Sequence, residues 1–300
     1  MAQVICLCVS DLHLCHTCPP ARSAEPNWYQ AMLRPIDELR DLQKTHRCPV
    51  ICAGDIFDSW NSSPELINFA IKYLPEMTAI PGQHDLPYHE YKNLYKSAYN
   101  TLEKASVLWG MSDGLVVGNN FRLHKFPWGI EVRPNTTKMK VEIALIHSMI
   151  WMKGYTYPGA PKTSNITSWK PQLKGYDVAV FGDNHSGFIK KLDNCTILNC
   201  GSFIRCKSNE MDYKPFIGMI LEDGSVTRYY LNTSKDKWID PIEDTFPIST
   251  VGLKNLMEEL RDISIDHLDF KEAINRYLKD NDVNPNVQKI LTSVIDKSIL

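Results

Sequence analysis

The hexapeptide Ala53-Gly54-Asp55-Ile56-Phe57-Asp58 follows the short apolar run Pro49-Val50-Ile51-Cys52. An apolar run of that length, closed by a glycine, reads as a buried strand. In open α/β sheets, ligands sit at the carboxyl ends of the strands. Asp55 therefore lies where a metal ion can be held, although a single Gly-Asp after a strand is more often just a turn. The constraint comes from repetition, because four more apolar runs end the same way. Residues 3–9 lead to Asp11 and His13, and residues 77–81 lead to Gly82-Gln83-His84-Asp85. Residues 141–146 lead to His147, and residues 178–181 lead to Gly182-Asp183-Asn184-His185. Asp11 and His13 are two apart, so in extended backbone they point to one side.

Helical patterns separate the first runs. Trp28, Met32, Ile36, Leu39 and Leu42 recur at spacings of three and four within residues 26–46, with Pro35 positioned to kink or split the helix. Ser63-Pro64-Glu65 is a helix start, followed by Leu66, Phe69, Ala70 and Tyr73 on one face, and residues 91–105 also read as helix. The order β-α-β-α-β-α implies parallel strands with helices packed on the sheet. Later residues turn to short strands, among them 114–117, 121–126 and 196–199. Residues 149–176 form a long loop rich in Pro, Lys, Trp and Tyr, and loops of that length are often functional. Asp223-Gly224 between two apolar runs signals a hairpin. Beyond Asn232 the chain becomes polar, and short helices are expected near 250–262, 269–280 and 285–298. Asp269 with Glu272 resembles a capping box, and Asn284-Pro285 a further start.

The 300 residues are 43% hydrophobic and 23% charged, an ordinary globular balance with ample core for one large or two moderate domains. A net charge of −2 lacks the basicity of autonomous nucleic-acid binders, so such a substrate would be gripped through a local patch, a metal or a partner. The cysteines number nine, and Cys6, Cys8 and Cys52 sit inside apolar runs, which favours a reducing compartment. Cys15-His16-Thr17-Cys18 has zinc-like spacing but no matching second pair, so reduced thiols are the simpler reading. No run reaches the roughly 18 apolar residues of a membrane span, and no signal peptide is evident. The expectation is a soluble, cytoplasmic protein.

Five strand ends thus offer Asp11/His13, Asp55/Asp58, Gln83/His84/Asp85, His147 and Asp183/His185. Mixed Asp/His donors suit Mn, Fe, Zn or Mg. This many donors point to a pair of ions about 3.5–4 Å apart that activates water for in-line attack on phosphorus. A histidine beside them is the natural proton donor to the leaving oxygen.

The set D-L-H at 11–13, G-D-I-F-D at 54–58, G-Q-H-D at 82–85, His147 and G-D-N-H at 182–185 resembles the calcineurin-like metallophosphoesterases over about the first 235 residues. Within them it is most similar to the nuclease subunit of SbcCD-type DNA-repair complexes of bacteria and phages, through G-D-I-F-D, the run from Asn199 to Arg205, and Glu210 with Lys214-Pro215-Phe216. The resemblance implies a four-layer α/β/β/α sandwich over 1–235 and a helical partner-binding or capping module over 236–300. It implies that Asp11, His13, Asp55 and His185 hold one divalent ion, manganese first among the choices. Asp55 would bridge to a second ion held with Gln83, His147 and Asp183. His84 would be the general acid, steered by Asp85, with Asp58 behind the ligands. Gln83 and Asp183 depart from the Asn and His of the pattern, yet both keep a donor atom. The implied activity is Mn-dependent exo- or endonuclease action on DNA with an SbcC-like coiled-coil ATPase, in the cytoplasm of a cell or of a phage host, and the family is commonly homodimeric. Lys153, Lys170, Trp169 and Arg205 are the expected substrate contacts, with Lys162, Lys174, Trp151, Tyr155 and Tyr157 nearby in the loop. The alternatives are a small-molecule or nucleotide phosphodiesterase, a phosphoprotein phosphatase, or a non-catalytic subunit that binds DNA or a partner.

Overall fold

The computed structural model describes residues 2–110, 121–137, 141–156 and 160–239. The expected strand at 114–117, Tyr157 and the C-terminal helices with their caps lie outside these residues.

The first strand, β1 (Val4–Val9), is buried along its whole length. Its side chains alternate between two cores, as a strand covered on both faces requires. Leu7 and Val9 face the helices, while Cys6 and Cys8 face a second sheet. Strands β2 (Val50–Cys52), β3 (Met77–Ala79) and β4 (Leu108–Trp109) add in parallel on one side. On the other side β10 (Phe216–Leu221) pairs antiparallel with β1, and β11 (Val226–Tyr230) closes the predicted Asp223-Gly224 hairpin. The six strands run in the order β11-β10-β1-β2-β3-β4.

The second sheet has the order β5-β6-β7-β9-β8. It contains β5 (Arg122–Phe126), β6 (Glu142–His147), β7 (Val178–Gly182) and β9 (Cys195–Asn199) in parallel. Strand β8 (Phe188–Leu192), which the sequence pattern did not reveal, runs antiparallel at the edge. Its Lys190 and Lys191 are exposed and break the apolar signal, as edge strands commonly do.

Three helices cover the outer face of the first sheet. Helix α1 (Trp28–His46) is capped by the Asn27 side chain and runs unbroken through Pro35. Its buried stripe of Trp28, Ala31, Met32, Ile36 and Leu39 anchors both sides of the proline, so packing overrides the expected kink or split. Helix α2 (Pro64–Tyr73) starts as read, with Ser63 accepting a hydrogen bond from Leu66 N. Residues 91–105 divide into a 3-10 turn, Tyr91–Lys96, and helix α3 (Ala98–Lys104). Ser97 stands between them in extended backbone and caps α3 through Asn100 N, which ends one element and starts the next.

The sandwich layers are therefore present, with one difference. The outer face of the second sheet is covered by the 149–176 segment, whose described residues form short 3-10 turns rather than α-helices. Ile150, Ile166, Leu173 and Tyr176 of that segment are buried against β6, β7 and β9. The chain past residue 235 still runs over the helical side of this unit. Asp236 pairs with Arg34 and Arg205, and Trp238 stacks on the guanidinium groups of Arg22 and Arg205 at 4.8 and 5.3 Å.

Candidate metal centre

The carboxyl ends of β1, β2, β3, β6 and β7 converge on one cluster, because adjacent parallel strands end at one edge of each sheet. The local backbone there is unusual. Asp11, His13, Asp55 and Asp183 all have positive φ, at 51°, 45°, 54° and 90°. Such values are uncommon outside glycine and are held only where surrounding structure over-determines them. The extended-backbone argument for Asp11 and His13 fails on this point. Left-handed turns, not a pleat, bring both side chains inward.

Asp11, His13 and His185 offer ligand atoms within 4.8 Å of one another, as do Asp11, Asp55 and His147. His13 Nε2 lies 3.1 Å from His185 Nε2, 3.9 Å from Asp11 Oδ1 and 3.7 Å from Asp55 Oδ2. Two imidazole nitrogens bound about 2.1 Å from one ion at right angles stand about 3.0 Å apart. The pair is thus spaced to share an ion. Asp55 is held through Oδ1 by His84 N at 3.0 Å, while its buried Oδ2 has no hydrogen-bond partner. That orphaned oxygen lies 3.4 Å from His147 Nε2 and so faces the donors of both clusters. A buried carboxylate oxygen without a donor is costly unless a cation meets it. The donor set fits two divalent ions sharing Asp55.

Histidine tautomers agree with this. His147 Nδ1 donates to the Ala53 carbonyl, which leaves Nε2 to ligate. Burial opposes charge on His147, but Asp55, Asp11 and Asp183 outweigh it and push its pKa up to about 10. His13 is likewise raised, against burial, by Asp58, Asp55 and Asp11. Conversely, burial is overcome at Asp55 by His147, His13 and His84, which hold it well below the usual carboxylate range. The carboxylates draw positive charge into the site, and bound cations would release these protons.

The second cluster differs in detail from expectation. Gln83 Oε1 touches His147 Nε2 at 2.6 Å, consistent with a donor to the same ion. Asp183 Oδ1 instead accepts from Gln83 Nε2 at 2.7 Å, and its backbone N donates to Asp11 Oδ1 at 3.0 Å. Asp183 thus stands beside Gln83 and joins none of the tight ligand groups among the described residues.

The His84 ring lies edge-on to His13 with centroids 4.9 Å apart. The expected steering of His84 by Asp85 is corrected here. Asp85 is fully buried and accepts from the backbone N–H groups of Ile56, Phe57 and Gly82, tying the loops after β2 and β3 together. Burial and the charge of Asp55 push its pKa up to about 7. The group that orients His84 is the Asp58 carbonyl, which accepts from Nδ1 at 2.8 Å and leaves Nε2 outside that hydrogen bond. The Asp58 carboxylate stands 3.4 Å behind His13 Nδ1.

Glu210 is the main residue the sequence reading missed, since it enters there as a family mark without a role. Its Oε1 is 3.3 Å from His185 Nδ1 and accepts from Ser202 Oγ at 2.7 Å, while Oε2 accepts from the N–H groups of Cys206 and Lys207. Burial works against ionisation, but His185, Ser202 and the backbone donors bring its pKa down to about 2. The carboxylate therefore turns His185 Nε2 toward the site. Buried Asn199 braces the same turn through the carbonyls of Asn184 and Ser186.

The substrate contacts expected from sequence are mostly engaged elsewhere. Arg205 is buried, binds Asp236 and donates to the carbonyls of Met211, Tyr213 and Thr233. It is a brace between the segment after β9 and the segment after β11. Trp169 packs edge-on to Phe181 with centroids 5.0 Å apart, as part of the outer core. Lys170 pairs with Asp193 at 3.2 Å. Lys153 is exposed. Cys15 and Cys18 join no group of three metal-ligating side chains among the described residues, and the nine thiols are free.

A family model described as calcineurin-like phosphoesterase matches residues 6–187. No curated protein sequence matches the chain significantly. Solved structures similar to it include the anchor protein GAP50 of the Plasmodium inner membrane complex, at 12% identity, with 80% of this chain and 88% of that one covered and a TM-score of 0.49. The TT1561 protein of Thermus thermophilus is 9% identical, with 77% and 100% covered and a TM-score of 0.45. An archaeal phosphodiesterase is 15% identical, with 75% and 99% covered and a TM-score of 0.38. The assignment rests on the family model.

Proposed function

The chain belongs to the calcineurin-like phosphoesterase family, and on that premise we propose that it is a two-metal phosphodiesterase whose substrate is DNA. The observation that carries the catalytic reading is the orphaned Asp55 Oδ2 between the His13/His185 and His147/Gln83 donors. Asp11, His13, Asp55 and His185 would hold one ion, and Asp55, His147 and Gln83 the other, with Asp183 hydrogen-bonded beside them. When bound, such ions polarise the phosphoryl oxygen and lower the pKa of attacking water. The chain's own contribution is positioning. Ala53 and Glu210 orient His147 and His185. His84, anchored through Nδ1 by the Asp58 carbonyl, turns Nε2 toward the leaving oxygen, to which its imidazolium form would pass a proton.

The choice of DNA, of manganese and of an SbcC-like ATPase partner is supported by the sequence resemblance. A near-neutral charge fits a subunit whose grip on DNA comes partly from a partner. A small-molecule phosphodiester substrate is the second reading, favoured because Arg205, Trp169 and Lys170 are already engaged within the protein. End-labelled duplex and single-stranded DNA, incubated with Mn, Mg or EDTA and with or without the ATPase, tests the proposal. Mn-dependent cutting that Asp55→Asn abolishes is the expected result. Intact DNA under every condition, with a chromogenic phosphodiester cleaved, transfers the function to small molecules.

A further inference from the structure

Beside the metal centre lies an open cleft of about 290 Å³, lined by Asp58, Ser59, Trp60, Gln83, His84 and Leu86, with Tyr88 and His89 at its edge. We propose that this cleft is a subsite for the nucleobase of the leaving group. The inference rests on the phosphodiesterase reading above and adds what the site recognises beside the phosphate.

Position comes first. His84 is the proton donor to the leaving oxygen, and it forms part of the cleft wall. Whatever the leaving oxygen carries must therefore extend past His84, away from the donors of Asp11, Asp55 and His147. The cleft is the space on that side. Its volume is at the small end of the roughly 300–1,000 Å³ typical of small-molecule sites. One ring system with its sugar fits; a longer group would run out into solvent.

The lining then selects the class. Trp60 and Tyr88 form an aromatic wall, their rings 6.0 Å apart and tilted by 42°. Trp60 is half-buried and anchored through its carbonyl, which accepts from Ala98 N at 2.8 Å. Tyr88 leaves 72% of its surface exposed, so its ring has a face open for stacking. Leu86 is buried beneath them. None of the described lining residues is Lys or Arg, and Asp58 contributes a carboxylate. A second phosphate would be repelled here, whereas a neutral planar ring gains from stacking. Ser59 and the imidazole of His89 supply polar groups for a base edge.

The backbone holds this wall in place. Tyr88 and His89 are consecutive non-glycine residues at φ 59° and 57°. Such backbone is unfavourable outside glycine and survives where surrounding contacts enforce it. Here His89 Nδ1 donates to the Gln83 carbonyl at 3.0 Å, which ties the turn to the loop that carries Gln83 and His84.

The test compares dithymidine phosphate with an analogue whose leaving-side sugar lacks its base. The readout is the ratio of kcat/KM values for the two substrates with the full chain in Mn. The expected ratio is about 5- to 150-fold in favour of the base, the range that stacking one base on an aromatic side chain yields. In Trp60→Ala and Tyr88→Ala the ratio should fall toward one, and in Trp60→Phe and Tyr88→Phe it should be retained. A wild-type ratio of one, or a ratio that survives both alanine variants, overturns the subsite. Titration calorimetry of both compounds in Ca²⁺ separates the two levels of the argument. A binding preference for the base without turnover leaves the subsite standing and rejects the phosphodiesterase reading; equal affinities reject the subsite whatever the turnover.

Discussion

A ligand side chain works only as well as the group behind it holds it. His147 leans on the Ala53 carbonyl, His185 on Glu210, and His84 on the Asp58 carbonyl. Outer partners of this kind typically contribute about 10- to 100-fold in metal affinity. Glu210→Gln should therefore weaken Mn binding at the His13/His185 site by about that factor, read by titration with Mn and electron paramagnetic resonance, and Glu210→Asp should lose less. Glu210 also gives a pH signature. Its pKa of about 2 lies below the roughly 4.3 of an unfolded glutamate, so the folded state favours the ionised form. The stability this contributes is fully present above about pH 4.3 and is lost as the pH falls toward 2. Wild-type protein should lose urea resistance across that window, and Glu210→Gln should start less stable and decline less steeply. Tm by circular dichroism against pH checks both.

At the level of elements, the clasp around α1 invites a sharper test than the helix itself. Glu25, at 8% exposure, accepts from Arg22, Arg34 and the backbone of Lys237, and thereby joins the α1 entry to the segment after β11. Burial resists its ionisation, but Arg34, Lys237 and Arg22 lower its pKa nonetheless. Without Glu25, the buried Arg22 and its neighbour Arg34 keep Asp236 as their remaining carboxylate partner, both at 3.1 Å. Glu25→Ala therefore removes charged hydrogen bonds without stranding a charge and should cost about 1.5–3 kcal/mol in urea denaturation. By contrast, Ser63→Ala removes one N-cap from α2 and should cost about 1 kcal/mol. The helices were legible because their apolar stripes and caps are local. Strand β8 was not, because its exposed lysines mask an edge whose pairing with β9 is decided by the sheet.

For the whole molecule, the metal centre is also a stability device. Ligands come from the ends of five strands in two sheets, so ions that bind only the folded chain pin both sheets together. Divalent ion at 100 times its dissociation constant should add about 2.7 kcal/mol to unfolding free energy for each site it fills. EDTA should reverse the gain, and Asp55→Asn should show little of it, measured by urea melts with and without Mn. Among the described residues no helix is long and apolar enough to cross a membrane.

Buried strands and the residues at their ends follow from the sequence alone. Apolar runs closed by Gly, Asp and His are short-range patterns, and their repetition pointed to the cluster of Asp11, His13, Asp55, His147 and His185, while the family resemblance those motifs carry implied the α/β sandwich. Tertiary structure alone decided how those residues are held and which neighbours serve them. The left-handed backbone at Asp11 and His13 is imposed by long-range hydrogen bonds, Asp11 N to the Gly54 carbonyl and His13 N to the Asp55 carbonyl. Arg205 and Trp169 have ordinary substrate-contact chemistry, yet packing buries Arg205 and sets the half-buried Trp169 against the outer core. Glu210 is 25 residues from His185 and becomes its partner only when the chain after β9 folds back. Local pattern reports what a residue can do; distance in space, set by the two sheets, determines what it meets.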